Sequence, residues 1–295
     1  MNQPTRVAIV TGASSGIGLE TARALVAQGW RVIGTGRAPA RIAAARQDIA
    51  AAAAQGGSIE MLTADLSLIA QAHALADAIA ARTDRVDLLV NNAGGMTDHL
   101  EITAEGLEAN FVGNHLGPFA LTLRLLPLLE AAAASSPPGA VRVLMTASDA
   151  SEMVPGIDPD DMQNLARWDP GLAYCTGKLA NVLFARALAA RLTGSGIVAH
   201  AMAPGATASN FQASAPQATR ERMQAMPMRT VRRRGYADLA RHGSGAGNVQ
   251  RRLLGKPRAA RPPCPGERPR AGGPVLGCER GAGQVRYAMT LRCRQ

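Results

Sequence analysis

Tyr174 and Lys178 stand four residues apart in the stretch YCTGK, within a segment whose apolar positions recur at helical period. Side chains at this spacing project from one face of a helix. A phenol with its ordinary pKa near ~10 is a weak base at neutral pH. A neighbouring ammonium favours the phenolate and brings its proton within range for transfer. The same spacing also fits an exposed pair on a helix surface, so the surrounding residues must decide.

A second candidate is the run TGASSGIG at residues 11–18, which follows the apolar RVAIV and opens a helical segment. Gly12, Gly16 and Gly18 lack the Cβ that would hold a phosphate away from the free N–H groups of a helix N-terminus. Their spacing is G-x3-G-x-G, a variant of the dinucleotide fingerprint, and an ordinary turn is the alternative. The end of the second strand bears on which dinucleotide would bind. An NAD-binding chain places Asp or Glu there to hold the ribose 2′-hydroxyl. Here GTGR puts Gly36 in that place with Arg37 beside it. A guanidinium pairs with a 2′-phosphate that a carboxylate would repel, so NADP(H) is expected in preference to NAD. The other reading of Arg37 is an exposed charge at a strand end.

Positioning these groups requires strands and helices in alternation. Apolar runs at 6–10, 31–35, 58–64, 86–90, 140–146 and 196–202 read as strands. Ala/Leu-rich segments near 17–28, 39–55, 68–82, 105–133 and 173–193 read as helices. This order predicts an α/β fold, a doubly wound parallel sheet of Rossmann type with six clear strands and a doubtful seventh. Ligands of such sheets bind at the strands' C-terminal ends, which gathers residues 10–12, 35–37, 64–65, 90–94 and 146–148 along one edge. With 47% hydrophobic but only 3% aromatic residues, the core must be built from Ala, Leu and Val.

TGASSGIG, NNAG at 91–94, NHLG at 114–117, a Ser after the fifth strand, YCTGK and PG at 204–205 occur in this order. Together they resemble the short-chain dehydrogenase/reductase superfamily over residues 5–215. GLAYCTGKLANVLFARALAARLTGSGI and NHLGPFALT look most like its retinol-dehydrogenase-like branch. The resemblance implies an oxidoreductase that moves hydride between a nicotinamide cofactor and an alcohol, aldehyde or ketone. It makes Tyr174 the general acid/base and gives Lys178 the nicotinamide ribose and the Tyr174 pKa. Ser148 would hold the substrate oxygen, with Thr146 and Ser151 as competitors because MTASDAS departs from the family pattern. Asn114 would sustain a water relay to Lys178; its other reading is a buried Asn tying a helix kink.

The same resemblance assigns the cofactor to Gly12, Ser14, Ser15, Gly16, Ile17, Gly18 and Arg37. It adds Asp65 and Leu66 at the adenine, and Asn92, Ala93 and Gly94 at the adenosine ribose. Pro204, Gly205, Thr207 and Ser209 would follow the sixth strand, with Ser209 where the family usually has Thr. Asp65 has a second reading as a helix N-cap. His73, His99, His115 and His200 lack metal spacing and read as structural or surface residues. Asp158, Asp160 and Asp161 read as a solvated loop.

Charge divides the chain. Residues 1–228 hold 16 Lys+Arg against 19 Asp+Glu, whereas residues 229–295 hold 16 against 3. The first part reads as the dinucleotide-binding and catalytic domain. The second, with 11 Gly and 6 Pro, reads as a disordered basic tail. Either it is a replaced C-terminus, as a shifted reading frame in a GC-rich gene would leave, or it is a basic tail with a binding role. A replaced C-terminus would make the alternative function a weakly active or non-catalytic NADP-binding protein. A nucleic-acid partner is not expected, since the tail is nearly devoid of aromatics. No run of 18 apolar residues and no leader pattern occurs, so no membrane span is expected and the protein reads as cytoplasmic. The resemblance implies a homodimer or homotetramer built on the long helices.

Overall fold

The computed structural model describes residues 5–205 and 215–224. The proposed boundary at 228/229, the basic tail and the doubtful seventh strand lie outside the described residues. Six strands form one sheet: β1 (Val7–Val10), β2 (Arg31–Gly36), β3 (Ser58–Thr63), β4 (Leu88–Asn91), β5 (Val141–Thr146) and β6 (Ile197–Met202). Their order is β3-β2-β1-β4-β5-β6 and every pairing is parallel. The expected Rossmann-type sheet is present, with its reversal of strand order between β1 and β4.

Alternation along the central strands assigns the two faces. Ile9, Leu89, Val143 and Met145 pack with α3 (Ile69–Ala80), α5 (Gly117–Ala134) and α6 (Pro170–Arg191). Ala8, Val10, Val32, Leu88, Val90 and Leu144 pack with α1 (Gly16–Val26) and α2 (Pro39–Ala51). Burial on both faces explains why these strands read as continuous apolar runs. A short helix, α7 (Gln217–Gln224), is the last described element.

Two helix starts differ from expectation by a turn or nearly so. The helix expected from 105 begins as α4 (Ala109–Phe111), because residues 103–108 form a turn instead. Gly106 adopts φ +74°, and its N–H donates to the Thr103 carbonyl at 2.9 Å. The Glu108 carboxylate then caps the helix, accepting from Asn110 N–H at 3.1 Å and Phe111 N–H at 2.6 Å. Between α4 and α5 lies one wide π turn, Val112–Leu116, that carries Asn114 and His115. Such turns hold an extra residue and recur at functional sites.

The second boundary is the start of α6, three residues before the expected 173. Asp169 caps it by accepting from Leu172 N–H at 2.9 Å, and Pro170 occupies the first turn.

The helix Ala109–Ala134, although interrupted by polar residues, has the length and mean hydropathy, 1.3, of a membrane-crossing segment. Its Leu121, Leu125, Leu129 and Ala132 lie fully in the core against the sheet, and 44% of its apolar 18-residue window is buried.

Candidate active site

The chemistry-bearing residues meet where β4 and β5 end and α6 begins. Lys178 is 4% exposed, and its ammonium lies 5.4 Å from the centre of the Tyr174 ring. Lys178 Nζ donates to the Thr146 carbonyl at 3.3 Å. The Ser148 hydroxyl is hydrogen-bonded to the Tyr174 phenol, and it also accepts from Ala150 N–H at 3.2 Å. This geometry separates Ser148 from its competitors. Ser151 donates its backbone N–H to the Ser148 carbonyl, and Thr146 meets Lys178 through its carbonyl.

Burial dominates the electrostatics. It pushes the Tyr174 phenol up to about 12, with the Ser148 hydrogen bond pulling weakly the other way. It pushes Lys178 down to about 8. The expected lowering of the Tyr174 pKa is not what the protein alone shows: desolvation by burial raises the phenol and lowers the ammonium.

Asn114 is 2% exposed on the π turn. Its amide nitrogen donates to the carbonyls of Gly95 and Asn110, each at 2.8 Å. Its Oδ1 is buried without a hydrogen-bond partner. A Cβ added at Gly94 would stand 2.5 Å from that oxygen and 3.4 Å from Lys178 Nζ. Gly94, Asn114 and Lys178 thus border one small space, and a side chain at 94 would fill it.

The glycine loop leaves β1 at Thr11. Gly12 adopts φ +67°, a conformation that L side chains resist, and Gly18 packs so closely that a Cβ would fall on the Gly12 carbonyl oxygen. Ser15 starts α1 without a side-chain cap bond. The first-turn N–H groups of Gly16, Ile17 and Gly18 therefore have no intrahelical acceptor. Those are the donors a pyrophosphate uses, so loop geometry and chemistry fit a dinucleotide.

Two threonines that sequence reasoning missed hold this loop. Thr11 Oγ1 accepts from the N–H groups of Asn92 and Ala93, each at 2.9 Å. Thr35 accepts from Gly12 N–H through Oγ1 at 3.3 Å and from Ala13 N–H through its carbonyl at 2.8 Å. Asn92 Nδ2 adds a donation to the Thr11 carbonyl at 2.9 Å. The signal was one hydroxyl residue at the end of each strand, common enough to pass as strand composition.

Gly36 closes β2 against the loop. A Cβ there would stand 2.8 Å from Ser14 Oγ and 2.9 Å from Ile42 Cγ1, so a side chain at 36 would force Ser14 or Ile42 to move. Arg37 is 67% exposed, and its Nη1 lies 3.9 Å from Asp65 Oδ2. Asp65 Oδ1 accepts from the backbone N–H and hydroxyl of Ser67 at 3.0 and 2.7 Å. It therefore caps the turn before α3; the helix itself is capped by Glu105, which accepts from Ile69 and Ala70 N–H at 2.6 and 2.9 Å. Leu66 is buried, so only its backbone can face a ligand. Pro204 and Gly205 follow β6, with Gly205 at φ +70°. Thr207 and Ser209 lie outside the described residues.

In the insertion between Ser148 and Tyr174, Asp158 and Asp160 are exposed as a solvated loop requires, while Asp161 also ties the following turn. Asp161 accepts from Leu165 and Ala166 N–H at 2.8 and 3.1 Å. Trp168 Nε1 donates to Glu108 at 3.2 Å, and Glu108 N–H donates to Gln163 at 2.7 Å. A depression of about 540 Å³ lined by Gly139, Ser195 and Gly196 opens at the strands' opposite ends. It includes none of the candidate catalytic or cofactor residues, so geometry and chemistry place the site elsewhere.

The sequence pattern of the family described as short chain dehydrogenase matches residues 6–157. The chain belongs to that family. Within it, this short-chain dehydrogenase falls in the retinol-dehydrogenase-like branch: it is 37% identical to human (Homo sapiens) retinol dehydrogenase 12 over 208 residues. That alignment covers 70% of this chain and 63% of the human protein, so the chain spans less than two thirds of the relative's length. Among solved structures, it is similar to a Pseudomonas aeruginosa RhlG/NADP active-site complex, with TM-score 0.62 and 30% identity over 83% of this chain and 91% of that one. A metagenomic short-chain oxidoreductase in complex with NADP shows TM-score 0.54 and 28% identity, covering 68% and 81% of the two chains.

Proposed function

We propose that this short-chain dehydrogenase is an NADP(H)-dependent oxidoreductase interconverting an alcohol with its aldehyde or ketone. The convergence of Tyr174, Ser148, Lys178 and Asn114 beside the glycine loop carries the reading. Names among its relatives, a retinol dehydrogenase and two NADP complexes, support it. Bound nicotinamide would supply or accept the hydride, and the chain supplies orientation and the proton path.

Ser148 and Tyr174 would converge on the substrate oxygen. With its phenol raised to about 12, Tyr174 is protonated at neutral pH and equipped to donate a proton as a carbonyl oxygen gains charge. Alcohol oxidation would need the phenolate, and so additional positive charge beside it. Lys178 and Asn114 Oδ1, bordering the same space, would hold the ribose and pass a proton onward.

Exposed Arg37, with Ser14 across Gly36, would bind a 2′-phosphate, and no carboxylate at the end of β2 opposes it. A cytoplasmic setting and homo-oligomeric assembly belong to the same proposal.

The test is NADPH consumption by the purified full chain over a panel of aldehydes and ketones. Turnover with NADPH favoured over NADH supports the reading. Absence of both cofactor binding and turnover overturns it.

A further inference from the structure

Asn181 follows Lys178 by three residues on α6, and both side chains are buried. Its amide nitrogen donates to two backbone carbonyls on separate elements. One is Asn114 in the π turn, at 2.9 Å; the other is Thr146 at the end of β5, at 3.1 Å. Carbonyls only accept, so these bonds fix the amide's orientation and turn Oδ1 toward His115. The His115 Nδ1 lies 3.0 Å from that oxygen, which requires the ring to carry its proton on Nδ1.

The His115 ring sits among Phe111, Phe119 and Phe184, with centroids 5.4, 6.0 and 6.3 Å away. Burial in this apolar cage, with Lys178 acting in the same sense, pushes the imidazole down to about 4. It is a neutral N–H donor across the physiological range.

We propose that His115 and Asn181 form a brace that positions the hydride-transfer site, fixing Lys178, Asn114 and Ser148 relative to one another. The proposal rests on the function assigned above. The Thr146 carbonyl accepts from both Asn181 Nδ2 and Lys178 Nζ, and it lies two residues before Ser148. Asn114 projects its side chain from the same turn whose carbonyl Asn181 holds. One amide therefore joins the π turn, the end of β5 and α6, and His115 prevents that amide from rotating. Both are positioning residues, acting through the groups they hold.

His115→Phe tests the brace by keeping a ring in the cage and removing the N–H. His115→Gln restores a donor. The chain has two lysines, Lys178 and Lys256, so 15N-lysine labelling of the full chain with Lys256→Arg leaves Lys178 as the one Nζ signal. His115→Phe is expected to shift that signal and lower kcat about tenfold, with KM for NADPH within about twofold of wild type. His115→Gln should recover most of both. Asn181→Ala should match the loss, and the double variant should be no worse than Asn181→Ala alone.

An unmoved Lys178 signal in His115→Phe overturns the brace. So does an additive double variant, or a fall in NADPH affinity parallel to kcat, either of which marks general packing. If Asn181→Ala does not fold, the two His115 variants decide. A wild type that neither binds NADPH nor turns over any carbonyl of the panel would end the oxidoreductase reading, while the Lys178 signal, which needs no substrate, would still test the brace.

Discussion

Lys178 Nζ lies 5.4 Å from the centre of the Tyr174 ring and donates to the Thr146 carbonyl rather than to an acid. The ammonium is thus held beside the phenol by a neutral group, with its charge left for the phenol or a ligand.

Tyr174→Phe removes the proposed proton donor and leaves the cofactor loop untouched. Turnover should fall by roughly 10²–10⁴-fold, the range for loss of a general acid. NADPH binding, followed by fluorescence, should stay within about twofold. Retention of most of the rate would remove Tyr174 from the acid role.

Lys178 is costly to the fold. Its pKa falls from the model-peptide 10.5 to about 8 on burial, so between those values the unfolded chain binds a proton that the folded chain does not. Stability from this group therefore rises with pH across that window, and the full cost is present below it. At about 1.4 kcal/mol per unit, the cost is about 3 kcal/mol. Lys178→Met should raise Tm at pH 7, lose that advantage above about pH 10.5, and abolish turnover. Thermal melts across pH would show this; an equal or lower Tm at pH 7 would contradict it.

Arg37→Ala should weaken NADPH binding about tenfold or more and leave NADH nearly unchanged, because a 2′-phosphate loses its guanidinium. Titration of the two cofactors gives the comparison. Gly36→Asp is a poorer probe, since its Cβ would crowd Ser14 Oγ and Ile42. Equal losses for both cofactors in Arg37→Ala would rule out 2′-phosphate recognition.

The sheet was legible because β1, β4 and β5 are buried on both faces and read as apolar runs, while the half-buried edge strands β3 and β6 keep enough apolar residues to be read beside them. Tyr174, Lys178 and Ser148 were legible because motif order placed them on one edge. Asn181 and His115 were not, since an amide and an imidazole in apolar surroundings look like ordinary core polar groups until their partners, 35 to 67 residues away, are known. The late start of α4 was hidden for a related reason. Its cap, Glu108, is a charged residue in a helical-looking run, and only its burial shows that it terminates a turn. The Asp169-Pro170 start of α6 was readable from its cap and first-turn proline.

Glu108 is fully buried and accepts from Asn110, Phe111 and Trp168. Glu108→Ala would strand these donors and should cost about 3 kcal/mol, lowering Tm by about 5 °C or more. Of the two tryptophans, Trp30 lies in the core and Trp168 in the insertion. Emission should therefore shift to the red as Trp168 gains water. An unchanged spectrum and Tm would show that the insertion is held by other bonds.

The π turn puts a phase break in the Ala109–Ala134 helix. A turn with one extra residue rotates everything after it by about 100° relative to a continuous α-helix, so the faces of α4 and α5 are set independently. It also interrupts the backbone ladder, and the Asn114 carbonyl finds its donor in a side chain 67 residues further along the chain. Deleting one residue between 112 and 116 would remove the wide turn and swing Asn114 and His115 away from their partners. The helix's regularity and the site's geometry are therefore mutually exclusive, and this chain gives up the former at a single turn.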